Sequence, residues 1–199
     1  MTDPSNGYEA VAAEFLARRG TAPPTAIGTG RVRDWARTLR RGASVLDLGC
    51  GSGLPITKVL VDEGLDVCAV DAAPSLVDAF RRNFPQIPVA CESVLDSSFF
   101  DRKFEAVIAW GLMFLLQPPE QQLLIRRVAD VLVPGGRFLF TSAAQPVTWN
   151  DMMTGLESRS LGAAEYRKHL SAAGVSVIDE YDDEGENHYF DTLKNGGRA

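Results

Sequence analysis

A series of glycines spaced by single residues, entered from an apolar run that contains an acid, is where this sequence points most clearly to chemistry. It reads Val45-Leu46-Asp47-Leu48-Gly49-Cys50-Gly51-Ser52-Gly53-Leu54. Glycines permit positive φ and carry no Cβ, so a ligand can lie close against the backbone. With a strand before the glycines and a helix after them, the first helical N–H groups suit a carboxylate or phosphate. A second acid, Asp71, follows 22 positions after Gly49, at the end of Asp66-Val67-Cys68-Ala69-Val70. A carboxylate after the second strand of an open α/β sheet can accept hydrogen bonds from both hydroxyls of a ribose. It can equally cap a helix starting near Pro74. The glycine turn one strand away favours the ribose. A dinucleotide fingerprint, G-x-G-x-x-G, would need a glycine where Leu54 stands, which counts against NAD or FAD.

The elements that must position these residues follow from periodicity. Short β-branched runs alternate with helical patterns, as in a parallel sheet covered by helices. Helices are expected over Glu9 to Arg18, Arg31 to Arg40, Leu54 to Glu63, Pro74 to Asn83, Pro118 to Leu132 and Gly162 to Ala173. Gly20 to Pro24 breaks the first two apart, and Pro134-Gly135-Gly136 stops the fifth. Strands are expected at Ser44 to Leu48, Asp66 to Val70, Ile87 to Cys91, Phe104 to Trp110, Arg137 to Ser142, Gly174 to Asp179 and His188 to Leu193. The stretch Ala143 to Ser160 lacks clear periodicity and reads as a lid or binding loop. Asn195 to Ala199 reads as a frayed tail.

Bulk composition narrows the classes. The 199 residues are 45% hydrophobic and 23% charged, ordinary for one globular domain. The longest apolar run, Ala106 to Leu116, is too short to span a bilayer. The polar start lacks the regions of a signal peptide, so a cytoplasmic protein is the expectation. Cys50, Cys68 and Cys91 show no Cys-x-x-Cys spacing, which argues against a disulfide and against a metal site. Net charge is −6. Arg31, Arg33, Arg37, Arg40 and Arg41 recur at helical spacing, as on a solvated face, so nucleic acid is a poor candidate partner.

Val45 to Leu54 resembles the first motif of the class I, Rossmann-like S-adenosylmethionine-dependent methyltransferases, in their small bacterial form, and Val70-Asp71 resembles their second. Phe104 to Trp110 looks like their fourth strand, and Arg127 to Phe140, through Pro134-Gly135-Gly136, like their helix, turn and fifth strand. The resemblance implies an α/β three-layer αβα sandwich with a doubly wound, mostly parallel seven-stranded sheet in the order 3-2-1-4-5-7-6, strand seven antiparallel. It implies a single methyltransferase domain over 1–199: an N-terminal helical cap at 1–42, a cofactor-binding core at 43–142, and a lid loop with substrate-side elements at 143–199. It implies S-adenosylmethionine as cofactor, with Asp47, Gly49, Cys50, Gly51 and Gly53 at its methionine end. Asp71 would hold the ribose, and Ala72, Ser93 and Val94 the adenine. The family's usual Asp is replaced by Ser93. Trp110 and Gly111 would border the sulfonium, a cation that an aromatic face attracts; the bland alternative is that Trp110 closes the core.

Methyl transfer needs positioning and desolvation more than a fixed set of catalytic groups. No catalytic residue is assigned. The candidates facing a methyl acceptor are Tyr8, beside Phe15 and Arg18-Arg19 on the N-terminal helix; Trp149, in the loop from Gln145 to Asn150; and His188, among the carboxylates after Asp183. His169 is a weaker one. Packing accounts for Tyr8 and Phe15 at least as well, and a hairpin turn accounts for Gly185 and Asn187. Trp110-Gly111-Leu112-Met113 replaces the Asn/Asp-Pro-Pro-aromatic signature of nucleobase enzymes, which leaves a small metabolite as acceptor. Two other readings stay open: a non-catalytic S-adenosylmethionine-binding protein, and an NAD-dependent oxidoreductase.

Overall fold

Strands buried on both faces must be apolar almost without interruption, and Val45-Leu46 of the first and Ala106 to Ala109 of the fourth meet that demand. The computed structural model describes residues 3–19 and 26–196, so the break at Gly20 to Pro24 and the last three residues of the expected tail lie outside the described residues. Five strands come first: β1 (Ser44–Leu48), β2 (Asp66–Asp71), β3 (Val89–Cys91), β4 (Phe104–Ala109) and β5 (Leu132–Thr141). A small hairpin, β6 (Val147–Asn150) with β7 (Glu157–Ser160), precedes β8 (Val175–Asp182) and β9 (His188–Lys194). The helices are α1 (Ala12–Arg19), α2 (Thr29–Ala36), α3 (Ile56–Asp62), α4 (Pro74–Asn83), α5 (Pro118–Val131) and α6 (Ala163–Ala172).

The main sheet has seven strands in the order β3-β2-β1-β4-β5-β9-β8, with β9 antiparallel to both neighbours. That is the expected topology, with the separate hairpin inserted before the last two strands. Because side chains alternate along a strand, each strand feeds two cores. Leu46, Val107, Phe138 and Phe190 pack on one face with Leu124 and Val128 of α5 and Tyr166 of α6. Val45, Ile108, Leu139 and Tyr189 pack on the other with Val32 and Trp35 of α2 and Val59 and Leu60 of α3. This gives the three layers.

Three expectations are corrected. Residues 143–160 are not a loop throughout: β6 and β7 pair from Val147 with Ser160 to Asn150 with Glu157. Their alternation is faint in sequence because the residues buried in β7 are serines, Ser158 and Ser160. The fifth strand starts at Leu132, which pairs with Phe104; a register shift then accommodates Pro134-Gly135-Gly136 before Ala106 meets Arg137. Finally, α1 starts at Ala12 and not Glu9, because Asp3 holds the chain before it in turns by accepting from the Ser5 and Gly7 backbone N–H groups. Helix ends elsewhere move by a few residues, as at α2 and α3.

Candidate functional site

Register decides what meets at the sheet's C-terminal edge. Asp47 pairs with Ile108 and with Ala69, and Ala109 pairs with Phe140. The strand ends therefore bring Asp47, Asp71, Trp110 and Thr141 to one edge, the place where open α/β sheets bind ligands. A cavity of about 350 Å³ opens there, and all four residues line it.

The glycine turn forms its floor. Gly49 and Cys50 donate backbone N–H groups to the Val70 carbonyl at 2.8 and 3.2 Å, which ties the turn to the end of β2. Gly51 has φ +55, a left-handed conformation that favours glycine, and a Cβ there would only touch the Phe15 ring. Gly53 also has positive φ, but it faces away from the cavity, where a Cβ would run into Phe84. Its expected ligand role is not supported by its position: it lets α4 pack close behind the turn.

Asp71 takes the capping role at the start of α4 and also lines the cavity. Its Oδ2 accepts from the Gly51 N–H at 2.8 Å, and its Oδ1 from the Ala73 N–H at 2.9 Å, at the start of α4. Each carboxylate oxygen accepts more than one hydrogen bond, so capacity remains toward the cavity. Burial raises its pKa, against the lowering effect of those backbone donors. Asp47 is only 2% exposed, and its Oδ2 accepts from the Thr57 hydroxyl at 2.6 Å. Burial pushes its carboxyl up to about 7; Thr57 opposes this and the Asp71 charge adds to it. Two desolvated carboxylates facing one cavity suit a ligand that carries positive charge. The Cys50 thiol, beside both, is pushed well above its usual value by burial and by their charges, so it stays protonated.

Ala72, Ser93, Val94, Trp110 and Gly111 all line the cavity, with Leu76 and Leu112 to Leu116 beside them except Met113, which is buried in the core. Thr141 accepts from the Gly111 N–H at 2.8 Å and so fixes the turn after β4. The roof comes from two distant segments. Pro4 to Asn6, Tyr8, Phe15 and Arg18 form one side, and Asp151 to Met153, between β6 and β7, form the other. The Tyr8 hydroxyl donates to Asp151 Oδ2 at 3.2 Å and joins the two. Glu9 anchors the N-terminal side by accepting from the Ser75 N–H and hydroxyl at 2.9 and 2.7 Å. In doing so it supplies the cap that α4 lacks from its own side chains.

The other acceptor-side candidates fare differently. Trp149 does not line the cavity; it packs on Phe114, which does, with ring centroids 5.3 Å apart. His188 is directed elsewhere, to Asp182 at 2.7 Å and Glu180 at 3.3 Å, because it alternates with Tyr189 along β9. His169 sits beside Glu165 on α6, away from the cavity. Sequence reasoning did not single out Thr141, Asp151, Met152 or Met153 and read Asn187 as a hairpin-turn residue, yet all five are in the lining. Thr141 at the end of the fifth strand had a positional signal; Asp151 and Met153 lie in the stretch read as a lid or binding loop, within which nothing marked those two residues. Among the described residues, no cluster of His, Cys, Asp or Glu could hold a metal.

A doubly wound sheet with this strand order, a glycine turn after β1 and an acid after β2 defines the Rossmann-like fold of class I methyltransferases. Residues 45–136 match the family described as "Methyltransferase domain". The chain is 34% identical over 137 residues to an uncharacterized methyltransferase of Mycobacterium tuberculosis, covering 68% of this chain and 51% of that protein. It thus spans about half the length of such curated relatives. A TehB-like S-adenosylmethionine-dependent methyltransferase of Corynebacterium glutamicum has a similar structure, with TM-score 0.74 at 19% identity over 94% of this chain and 98% of the other. The [4+2]-cyclase SpnF is similar as well, with TM-score 0.75 at 18% identity over 99% and 98%. Over residues 45–136 the chain thus resembles methyltransferase domains in sequence, and its whole described fold is the Rossmann-like one of the class I S-adenosylmethionine-dependent methyltransferases.

Proposed function

We propose that this protein transfers the methyl group of S-adenosylmethionine to a small-molecule nucleophile and releases S-adenosylhomocysteine. The observation that carries the reading is the pair of carboxylates, buried Asp47 and half-buried Asp71, at the ends of neighbouring strands on either side of the bare turn Gly49 to Gly51. The cofactor's ammonium would meet Asp47 and its carboxylate the N–H groups of the turn. Its ribose would use the remaining capacity of Asp71, and its adenine would lie between Ala72, Leu76 and the Ser93-Val94 pair. The sulfonium would then face Trp110 and Gly111 at the end of β4, where the ring quadrupole attracts the cation.

The acceptor would enter between the N-terminal segment and the hairpin, onto a surface made largely of Phe114, Leu115, Met153 and Tyr8. An apolar wall with few polar groups suits a small molecule. We read the chain as one domain, with 1–42 as cap, 43–142 as cofactor core and 143–199 as the substrate side. No helix among the described residues is long and apolar enough to cross a membrane, and three free cysteines fit a reducing cytoplasm.

Incubation with trideuteromethyl-labelled S-adenosylmethionine and a pooled small-metabolite library, followed by mass spectrometry, tests the activity. A product heavier by the labelled methyl, absent with Asp71→Ala, supports it. A second reading is favoured by the likeness to SpnF: the same cavity could bind the cofactor and guide a reaction without methyl transfer. In that case S-adenosylhomocysteine binds but no labelled product forms.

A further inference from the structure

A chain of hydrogen bonds leaves the cavity at Trp110, runs through buried side chains, and returns to it at Asn187. The Trp110 indole N–H donates to the Tyr189 hydroxyl at 2.7 Å, and that hydroxyl donates to Asp183 Oδ2 at 2.9 Å. Tyr189 is fully buried, and burial raises its pKa far above the usual phenol value, so the hydroxyl keeps the proton it donates. Asp183 is itself buried and accepts from several donors of its own turn. Its Oδ1 takes the backbone N–H groups of Gly185 and Asn187 at 2.8 and 3.0 Å. Asn187 then gives its side-chain Nδ2 to both Asp183 oxygens, at 3.1 and 2.9 Å. Gly28 seals the chain from outside: a Cβ there would stand 2.7 Å from the Tyr189 hydroxyl and 2.9 Å from the indole nitrogen.

This arrangement settles which way the Asn187 amide faces. A carboxylate demands donors, so the NH₂ group turns to Asp183 and the carbonyl oxygen is held away from it. That oxygen has no hydrogen-bond partner among the described residues, while Asn187 lines the same cavity as Trp110. A half-buried amide oxygen fixed in this way can accept a hydrogen bond from a molecule held in the cavity.

We propose that Asn187 is the recognition group for the methyl acceptor, its side-chain carbonyl taking a hydrogen bond from the nucleophile's own O–H or N–H, with Asp183 and Tyr189 as positioning residues that hold it in register with Trp110. The acceptor is then an alcohol, phenol or amine carrying hydrogen on the attacking atom, and not a thioether, tertiary amine or carbon acid. The hydrogen bond aims a lone pair of that atom at the methyl group on the sulfonium beside Trp110. As the new bond to carbon forms, the carbon–sulfur bond breaks and S-adenosylhomocysteine leaves. The proton on the attacking atom passes to solvent water, because an amide oxygen accepts the hydrogen bond but is too weak a base to take the proton. The inference rests on the cofactor reading given above.

Sinefungin tests it without knowledge of the acceptor, because it carries an amino group where the cofactor carries its transferable methyl, whereas S-adenosylhomocysteine has nothing there. Calorimetry with both nucleosides is compared in the unsubstituted protein, Asn187→Leu, Asn187→Ser and Tyr189→Phe. The unsubstituted protein is expected to prefer sinefungin. Asn187→Leu and Asn187→Ser are expected to lower that preference by at least about fivefold, with S-adenosylhomocysteine affinity held within about twofold. Tyr189→Phe should lower it in the same direction by a smaller factor. An unchanged preference in both Asn187 variants overturns the proposal, and so does equal weakening of the two nucleosides, which marks a purely structural role. If the unsubstituted protein binds neither nucleoside, it is the cofactor reading that fails, and the inference falls with it.

Discussion

Replacing Asp47 by Asn perturbs stability and ligand binding in opposite directions. Burial raises the folded-state pKa of this carboxyl from 3.8 to about 7. The folded state thus holds a proton that the unfolded chain releases, and the stability it contributes is full below about pH 4 and is lost as pH rises toward 7. At about 1.36 kcal/mol for each tenfold change in proton affinity, the cost of carrying the charge above pH 7 reaches about 4 kcal/mol. Asn keeps the shape, and its carbonyl can still accept from Thr57, which donates to Asp47 at 2.6 Å. Asp47→Asn should therefore resist urea better than the parent at pH 8, by up to about 4 kcal/mol, with the gap shrinking to about 2 kcal/mol at pH 5 and closing only below about pH 4. The same substitution removes the partner of the cofactor's ammonium, so S-adenosylhomocysteine should bind at least about tenfold more weakly at pH 8. In the parent, affinity should weaken as pH falls below 7, approaching tenfold per pH unit. Urea titrations and calorimetry at both pH values read all of this. A stability gap that is the same at pH 5 and pH 8, or nucleoside binding indifferent to the substitution, refutes the reasoning.

Other substitutions separate ligand contacts from packing. Asp71→Ala removes the ribose partner together with its bonds to the Gly51 and Ala73 N–H groups; S-adenosylhomocysteine affinity should fall by about 2 kcal/mol or more, read by calorimetry. Gly53→Ala forces a Cβ onto a residue with φ +80 against Phe84; urea unfolding should show a loss of about 2 kcal/mol or more, while the folded fraction keeps its nucleoside affinity. His188→Ala should leave nucleoside affinity and methyl transfer unchanged, because the ring is committed to Asp182 and Glu180 outside the cavity.

The parts of the site that were legible in the sequence are those built from neighbours in the chain. A strand that ends in Asp47 and a glycine turn is a local pattern, and so is a strand that ends in Asp71. Their meeting follows from the topology that alternating strands and helices impose. The two sides of the roof were legible only as segments, the start of the chain with Tyr8 and the stretch from Ala143 to Ser160; that Tyr8 meets Asp151 was not, because they lie 143 positions apart. The Trp110–Tyr189 bond spans 79 positions and was hidden for the same reason. His188 drew attention through its residue type, yet strand alternation was the better guide: a one-residue step along β9 moves a side chain from one core to the other. Phe190 belongs to the α5 and α6 side and Tyr189 to the side of α2 and α3. Gly53 misled differently, since glycine serves a close helix contact as readily as a ligand.

Titration of the purified protein with S-adenosylhomocysteine in a calorimeter bears most directly on the role given to Asp47, Asp71 and the turn between them. Saturable binding of one nucleoside per chain in the micromolar range, strongly weakened in Asp71→Ala, is the predicted result. No heat of binding at millimolar nucleoside, or equal affinity in Asp71→Ala, contradicts it.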